Sequence, residues 1–438
     1  MAKEIKHIND TVSDLPESFK MTELGPLPEE WKVVRLGKVV KTTKGKRPKD
    51  LLSKFSSKTI PYLTADFFRT GVASKYVSLE KKDYVEVGKD DIIFIWDGSN
   101  AGDVFLGVEG ALASTMIKIE PLINVDKRFL FFFLKTKFEL FNSTTTGTTI
   151  PHVNKSIFEN LLVPLPPLSE QKAIAYVLQT VQRAKEATEK VIQATQELKK
   201  SLMRHLFTYG PVSVDEVDKV QLKETEIGLV PEHWEVVRFK EIATIGNTKS
   251  NLPPQVAIPF IPMSFIPDDY LYITNWELRK PGNVRSGVVI RNGNLLLAKI
   301  TPSLENGKQG IVQGLPGGWG YATTEVFPIR TSKSMMLEFL AIYLRIPKIR
   351  KILASKMEGT TGRQRLPKSV LMHLMIPLPP LHEQNQIVRI LMLVDKKLQA
   401  EEVKKQALET LFQSLLHHLM TGKLRVKDII LPETKEMI

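Results

Sequence analysis

The chain contains the same sequence pattern twice, and this duplication constrains its fold more than any other feature. Residues 164–171 read PLPPLSEQ, and residues 377–384 read PLPPLHEQ. A tryptophan stands near the start of each copy, Trp31 in the first and Trp234 in the second, 203 residues apart. A repeat of this length is too long to be one unit of a solenoid. The sequence therefore predicts two similar domains on one chain.

Each copy is predicted to be a mixed domain followed by a long helix. Short apolar strands with turn signals and one or two helices are typical of an α+β domain. The predicted strands include residues 31–36, 91–96, 234–239 and 294–299, and the predicted helices within the domains are 128–141 and 337–353. The predicted boundaries are an N-terminal tail over 1–20, domain 1 over 21–167, a long helix over 168–208, a linker over 209–224, domain 2 over 225–380, a second long helix over 381–422 and a C-terminal tail over 423–438.

The two long helices carry apolar residues at the alternating spacing of a coiled coil. Residues 169–207 contain no glycine or proline, which favours one continuous helix. The predicted seam comprises Ile174, Val177, Val181, Val191, Leu198 and Leu202 in the first helix, and Ile387, Ile390, Val394, Leu408, Leu411 and Leu415 in the second. Because the termini of a domain often lie close together, we expect the helices to run antiparallel. The predicted fold class is α+β, with two pseudo-twofold-related domains separated by a long antiparallel two-helix coiled coil.

Composition indicates a polyanionic partner. The chain has 61 Lys and Arg against 48 Asp and Glu, a net charge of +13, which favours nucleic acid over a membrane surface. It has no cysteine, so disulfides and thiolate zinc sites are excluded. Residues 1–20 do not resemble a signal peptide, and no apolar run approaches the roughly 20 residues that span a bilayer. We expect a cytoplasmic protein.

No catalytic or metal-binding motif is convincing in this sequence. A Walker motif and the Asn-Pro-Pro-aromatic motif of an amino-methyltransferase are both missing. The chain is therefore expected to bind rather than to catalyse. Two alternatives stay open: a coiled-coil scaffold with two globular protein-binding domains, and an independent nuclease or methyltransferase with an unrecognised site.

Basic and amide side chains recur in three loops of each domain. Lys and Arg neutralise phosphates, Arg reads guanine, and Asn or Gln reads adenine. In domain 1 the predicted DNA-binding residues are Lys44, Lys46, Arg47 and Lys49, then Asn100, then Thr148, Thr149, His152 and Asn154. In domain 2 they are Asn247, Thr248 and Lys249, then Lys299, Thr301, Ser303, Lys308 and Gln309, then Arg363, Gln364 and Arg365. The loops correspond in place but differ in sequence, as expected if the domains read different half-sites.

With these features, residues 21–422 resemble the DNA-specificity subunit family of type I restriction–modification systems. The resemblance is carried by the two proline motifs, by the segments around Trp31 and Trp234, and by residues 419–424 (LMTGKL). It implies two target-recognition domains, each reading one half of a bipartite double-stranded DNA target. It also implies that the helices set the gap and dock two methyltransferase (modification) subunits, with restriction or translocase subunits completing the complex. S-adenosylmethionine, ATP and Mg would belong to those partners, and this chain would be the non-catalytic subunit of an adenine-methyltransferase/endonuclease.

Overall fold

The chain folds into two units, and both of them contain part of each long helix. The structure, a computed structural model, describes residues 18–147, 149–246, 257–280, 287–360 and 362–426. One unit is formed by the residues up to Glu189 together with those from Lys404 onward, and the other by Lys190–Val403.

The mixed domain of the first unit is built on two four-stranded sheets. The strands are β1 Phe19–Thr22, β2 Gly25–Pro28, β3 Lys32–Arg35, β4 Val40–Lys44, β5 Thr59–Leu63, β6 Tyr76–Ser78, β7 Glu86–Val87, β8 Ile92–Ile95, β9 Val104–Leu106, β10 Gly110–Leu112, β11 Met116–Pro121 and β12 Leu162–Leu165. The strand orders of the two sheets are β4-β11-β8-β9 and β6-β5-β10-β7, and the β5–β10 pair is parallel. The short helices are α1 Leu36–Val39, α2 Ala65–Thr70, α3 Lys127–Lys135, α4 Phe138–Ser143 and α5 Lys155–Asn160.

The core of this domain lies between the first sheet and the helices α3 and α4. Phe94 of β8 meets Phe141 of α4 edge to face, with 5.2 Å between ring centroids. The prediction of a single helix over 128–141 is wrong, because the chain turns after Lys135. At this turn the Thr136 hydroxyl donates to the Phe133 carbonyl at 2.7 Å. The turn brings both helices onto one apolar core that includes Phe129 and Phe141.

The domain of the second unit has a similar order of elements, with an additional strand in its first sheet and an additional two-stranded hairpin. Its sheets have the orders β16-β24-β21-β22-β18 and β19-β17-β23-β20. The strands are β13 Leu222–Thr225, β14 Gly228–Pro231, β15 Glu235–Arg238, β16 Ala243–Ile245, β17 Ile258–Ile261, β18 Tyr272–Ile273, β19 Glu277–Arg279, β20 Val288–Arg291, β21 Leu295–Ala298, β22 Gln309–Val312, β23 Trp319–Ala322, β24 Val326–Thr331, β25 Glu358–Thr360, β26 Arg363–Arg365 and β27 Met375–Leu378. The long helix of the first copy is α6 Leu168–Tyr209, and the second domain contains α7 Phe239–Ile242, α8 Leu337–Arg345, α9 Pro347–Ala354 and α10 Lys368–Met372, followed by the long helix α11 Leu381–Met420.

Helical structure within 337–353 is also divided in two, so the prediction of one helix there is wrong. The division falls at Pro347, and the preceding Ile346 adopts ψ 127°. A proline disfavours the helical conformation of the residue before it, which ends α8 at this point. The strands predicted at 31–36, 91–96, 234–239 and 294–299 are confirmed as β3, β8, β15 and β21, and the α+β class is confirmed.

The repeated proline motif attaches each domain to the start of its long helix. The indole N–H of Trp31 donates to Glu170 at 3.1 Å, and that of Trp234 donates to Glu383 at 2.8 Å. The following glutamine donates to the carbonyl of a motif proline at 2.8 Å in both copies, from Gln171 to Pro166 and from Gln384 to Pro379. The two copies of the motif make the same hydrogen bonds, which explains why the same residues recur in both.

Within each unit the segments of the two long helices run antiparallel, as predicted. In the first unit Lys185 pairs with Glu409 at 2.7 Å, and Glu189 pairs with Lys405 at 2.9 Å. In the second unit Lys199 pairs with Asp395. Residue numbers rise along α6 while those of its partners fall along α11, which is the antiparallel order.

Three residues of the predicted seam lie outside the inward stripe. The positions that begin with Ile174 and Ile387 face inward, but Val191, Leu198 and Leu411 are 40%, 52% and 46% exposed. The buried positions lie one residue later: Leu178, Leu206, Leu391, Phe412 and Leu419. Of the other predicted seam residues, Val177, Val181, Leu202, Ile390 and Leu415 pack partly buried against the cores, and Val394 and Leu408 are half-buried.

The error arises because the inward stripe contains charged residues. Lys185 and Lys199 lie on the stripe, and their ammonium groups pair with carboxylates of the other helix. A search for apolar spacing passes over these lysines and selects the aliphatic residues beside them.

Candidate DNA interface

Three loops of domain 1 meet at a single carboxylate. Asp97 follows β8, Lys44 ends β4, and His152 lies in the loop before α5. The Lys44 ammonium lies 3.2 Å from one carboxylate oxygen of Asp97, and Nδ1 of His152 lies 2.6 Å from the other. The Asp97 side chain is only 11% exposed, whereas those of Lys44 and His152 are 57% and 48% exposed. The covered acid thus fixes two basic side chains at the surface.

Domain 2 also holds a basic side chain against a carboxylate, although its acid, Glu325, precedes β24 instead of following β21, the strand that corresponds to β8. Arg365 donates two hydrogen bonds to Glu325, at 2.9 and 2.7 Å. The backbone hydrogen bond from Leu366 to the Lys299 carbonyl, 2.7 Å, corresponds to that from Val153 to the Trp96 carbonyl, 2.9 Å. Arg365 therefore occupies the place of His152, one residue before the matched donor.

The charge pairing in domain 2 is reflected in the pKa of Glu325. The hydrogen bonds from Arg365 lower this pKa, against the opposing effect of burial. Burial also lowers the pKa of Lys299, whose ammonium lies 5.1 Å from the centre of the Phe327 ring. Glu325 is thus an anion at neutral pH and holds the Arg365 guanidinium in a fixed orientation, with that side chain 52% exposed.

Sequence reasoning missed both anchoring acids. Asp97 had a usable signal, since it follows a fully apolar strand and precedes a glycine. Glu325 had no such signal, because only the fold brings it close to Arg365. Its backbone carbonyl accepts a hydrogen bond of 3.0 Å from the Lys299 backbone N–H.

Most of the predicted DNA-binding residues are accessible. Besides Lys44, His152 and Arg365, the exposed ones are Lys46, Arg47, Lys49, Thr149 and Arg363, and the half-buried ones include Asn100, Lys299, Thr301, Ser303 and Gln364. A backbone hydrogen bond of 3.0 Å from Thr301 to the Gln364 carbonyl joins the second loop to the hairpin β25–β26. The predicted residues Thr148, Asn247, Thr248 and Lys249 lie outside the residues that the structure describes.

The prediction for Gln309 is wrong. Its side chain is fully buried, donates to the Ala341 carbonyl at 2.5 Å and accepts from Arg350. The residue belongs to β22, facing α8, and so it is part of the core. A polar side chain in this loop region predicts a surface position. The structure instead uses the Gln309 side chain inside the core, where it accepts a hydrogen bond from the buried Arg350.

Two further predicted contacts are already engaged within the domains. The side-chain oxygen of Asn154 accepts from the backbone N–H groups of Ser156 and Ile157 and caps α5. The Lys308 ammonium donates to the Ile266 carbonyl at 2.8 Å. Both side chains have a structural function that the sequence did not reveal.

The described residues offer neither a metal centre nor a membrane span. No group of three or more His, Cys, Asp or Glu among them is placed to hold a metal ion. In the same part of the chain, no helix is long and apolar enough to cross a membrane.

Comparison with known proteins identifies the family. The model of the type I restriction modification DNA specificity domain matches residues 28–200 and 231–410, one match for each copy of the repeat. The chain belongs to the family of type I restriction–modification specificity subunits.

Individual relatives agree with this assignment. The specificity subunit of the type I restriction enzyme MjaVIII from Methanocaldococcus jannaschii is 34% identical over 414 residues, covering 90% of this chain and 93% of the relative. That of EcoEI from Escherichia coli is 33% identical over 196 residues, covering 42% of this chain and 33% of the relative. The crystal structure of a type I S subunit from M. genitalium has a similar fold, with a TM-score of 0.59 at 17% identity and coverage of 93% and 97%.

Proposed function

We propose that this chain is the DNA-binding specificity subunit of a type I restriction–modification complex, with each domain reading one half of a bipartite double-stranded target. The observation that carries the proposal is the matched pair of basic side chains at equivalent positions, His152 held by Asp97 and Arg365 held by Glu325. One fold that presents a different basic side chain at the same position in each domain is suited to reading two different DNA sequences.

The chemistry of the loops fits this division. Exposed Lys46, Arg47 and Lys49 neutralise backbone phosphates, which gives affinity that depends on salt. The Arg365 guanidinium, oriented by Glu325, has the geometry to donate to a guanine edge in the major groove. Asp97 and Glu325 orient the basic side chains that contact the bases and do not contact DNA themselves.

The long helices dock two methyltransferase subunits and set the gap between the half-sites. Their exposed apolar side chains support this proposal: Val191, Leu198, Leu393, Val403 and Leu411. The partners then carry S-adenosylmethionine, and restriction or translocase subunits carry ATP and Mg, so this chain itself is non-catalytic. A solved relative with a TM-score of 0.50 comes from work on complex assembly and conformational transition of the type I R-M system.

Methylation sequencing tests the proposal directly. The chain is co-expressed with its neighbouring methyltransferase subunit in cells that lack other adenine methylation. Methyladenine in an asymmetric bipartite motif is the expected result. A continuous motif would contradict reading by two separate domains. No methylation, with the methyltransferase shown to be folded and bound, would favour the protein-binding scaffold.

A matched pair of variants then assigns the half-sites. His152→Ala should relax the sequence preference in one half of the motif, and Arg365→Ala in the other half, because each removes one anchored basic side chain. If both variants relaxed the same half, or the whole motif equally, the assignment of one half-site to each domain would be wrong.

A further inference from the structure

Phe55 is a large apolar side chain that points into solvent from a basic loop. It is 69% exposed and lies between β4 and β5. The segment 44–58 contains six basic residues and one acidic residue, and Lys54 and Lys58 beside Phe55 are both exposed. A phenyl ring surrounded by phosphate-binding charges suits contact with a nucleic acid, where the charges meet the backbone and the ring meets the bases.

The structure holds Phe55 in place rather than leaving it on a loose loop. Its ring lies 5.7 Å from that of Tyr76, at an interplanar angle of 60°. Leu52 and Tyr76 exchange two backbone hydrogen bonds, 2.9 and 2.8 Å long, which tie the loop to the edge strand β6. The Lys75 ammonium adds a hydrogen bond of 3.0 Å to the Ser53 hydroxyl. An apolar side chain fixed in this way loses little further entropy when it binds.

Domain 2 has an exposed apolar side chain on the equivalent edge strand, at the position of Tyr76, the residue that Phe55 packs against. Tyr76 of β6 is opposite Pro61 of β5, and Leu278 of β19 is opposite Pro259 of β17. Leu278 is 61% exposed, and Lys280, two residues later, is exposed as well. The recurrence in two domains whose loops differ in sequence indicates a shared purpose.

We propose that these exposed side chains at the sheet edge make apolar contact with the bases of their half-sites, Phe55 from the loop beside Tyr76 in domain 1 and Leu278 from the edge strand in domain 2. The contact discriminates by meeting the methyl group of thymine in the major groove, which is the apolar feature of a base edge. This inference rests on the proposed DNA-binding function and adds two specificity-determining residues to it. Continuity with the basic segment 44–49 places Phe55 on the same loop as the predicted phosphate contacts.

The test measures DNA binding by the purified complex of this chain with its methyltransferase subunits. The probes are an unmethylated duplex with the target motif identified by methylation sequencing, and two duplexes in which either the domain 1 half-site or the domain 2 half-site is scrambled. Phe55→Ala is expected to weaken binding to the target about tenfold, the size of one lost base contact. Binding to the duplex with the domain 1 half-site scrambled should stay unchanged, as should the slope of affinity against salt, since no phosphate contact is lost. Leu278→Ala should behave in the same way for the other half-site.

Three comparisons test whether the effect is specific to the apolar contact of Phe55. Phe55→Leu retains an apolar side chain and should retain most of the discrimination. Leu122→Ala is the control, because Leu122 is 58% exposed in the same domain but lies beside Val39, at the opposite end of β4 from Lys44. Replacing thymine by deoxyuracil in the domain 1 half-site should weaken the wild type and leave Phe55→Ala unaffected.

Three outcomes would overturn the inference. One is an equal loss on target and scrambled duplexes, another is no loss in Phe55→Ala, and the third is failure of Phe55→Ala to assemble with the methyltransferase subunits, which would make Phe55 a protein contact. A wild-type complex that does not discriminate target from scrambled DNA would overturn the proposed function as well, whereas discrimination retained in both variants would overturn only the role of the apolar contacts.

Discussion

At the scale of single residues, a buried tryptophan and a glutamate join each domain to its long helix. Trp234 is fully buried, and its indole N–H donates to Glu383, which also receives a hydrogen bond of 2.7 Å from His233. Glu383→Ala leaves the buried indole N–H without an acceptor, which should lower the free energy of unfolding by about 1–3 kcal/mol. Calorimetry of the full chain measures this loss. Glu383→Gln keeps an acceptor and should lose clearly less; equal losses would show that the hydrogen bond is not the cause.

The anchoring acid of domain 2 makes stability depend on pH. Arg365 lowers the pKa of Glu325 below that of a free glutamate, about 4.3. The pair therefore contributes stability above the unfolded pKa, and this contribution is lost as the pH falls through the lowered folded pKa. Wild type should be more stable than Glu325→Gln at pH 7, and the difference should disappear under more acidic conditions. Denaturant unfolding at several pH values measures it, and a difference that grew on acidification would contradict the ion pair.

The candidate interface could be predicted in part because surface chemistry is local. His152 and Arg365 were found from loop composition alone, since each lies in a polar loop at the matching place of its copy. Glu325 is 40 residues away from Arg365 along the chain, so only the strand pairing brings the two together. The prediction for Gln309 is wrong for the same reason, because this strand residue is buried against Arg350, which comes from the helix α9.

At the scale of elements, the register of the long helices is set by residues that are not all apolar. Leu206 is 2% exposed and packs in the core of the second unit, whereas Leu198, about two turns earlier on the same helix, is 52% exposed. Leu206→Ala should therefore lower the free energy of unfolding by about 2–5 kcal/mol, and Leu198→Ala by less than about 1 kcal/mol. Denaturant unfolding of the two variants gives the comparison. Similar losses, or a larger loss at Leu198, would restore the apolar seam predicted from the sequence.

Elements were predictable where one local signal dominated. The long helix predicted over 168–208 is found as α6, since its sequence contains no glycine or proline from 169 to 207. The division between α8 and α9 also had a local cause in Pro347, but the division after Lys135 has no such residue. There the turn is favoured by packing Phe141 against Phe94, which is a tertiary effect.

At the scale of the whole molecule, the first unit is built from residues that are distant in sequence. Arg425 pairs with Glu170 at 2.6 Å, on the same carboxylate that accepts from the Trp31 indole. Both side chains are 12% exposed. The segment after α11 thus completes the first unit at the point where the first domain meets its helix. Glu170 thus links Trp31, near the start of the described chain, to Arg425, near its end.

If the long helices set the gap between half-sites, their length should change the target in a simple way. One heptad inserted after Lys190 and another after Val403 keeps the inward stripe in phase, because the inserted segments face each other in the antiparallel order. Seven residues add about 10 Å of helix, or roughly three base pairs of DNA. Methylation sequencing should show both half-sites unchanged and the gap longer.

Insertions of five residues at the same two places are the control, since a helix turns about 100° per residue and the stripe is then rotated by about 140° away from its partner, which should abolish methylation. A heptad in only one helix should do the same, because the two segments no longer match in length. Altered half-sites after the paired heptads would mean that the helices influence base reading. An unchanged gap would mean that the spacing is determined elsewhere, in the domains or in the methyltransferase subunits.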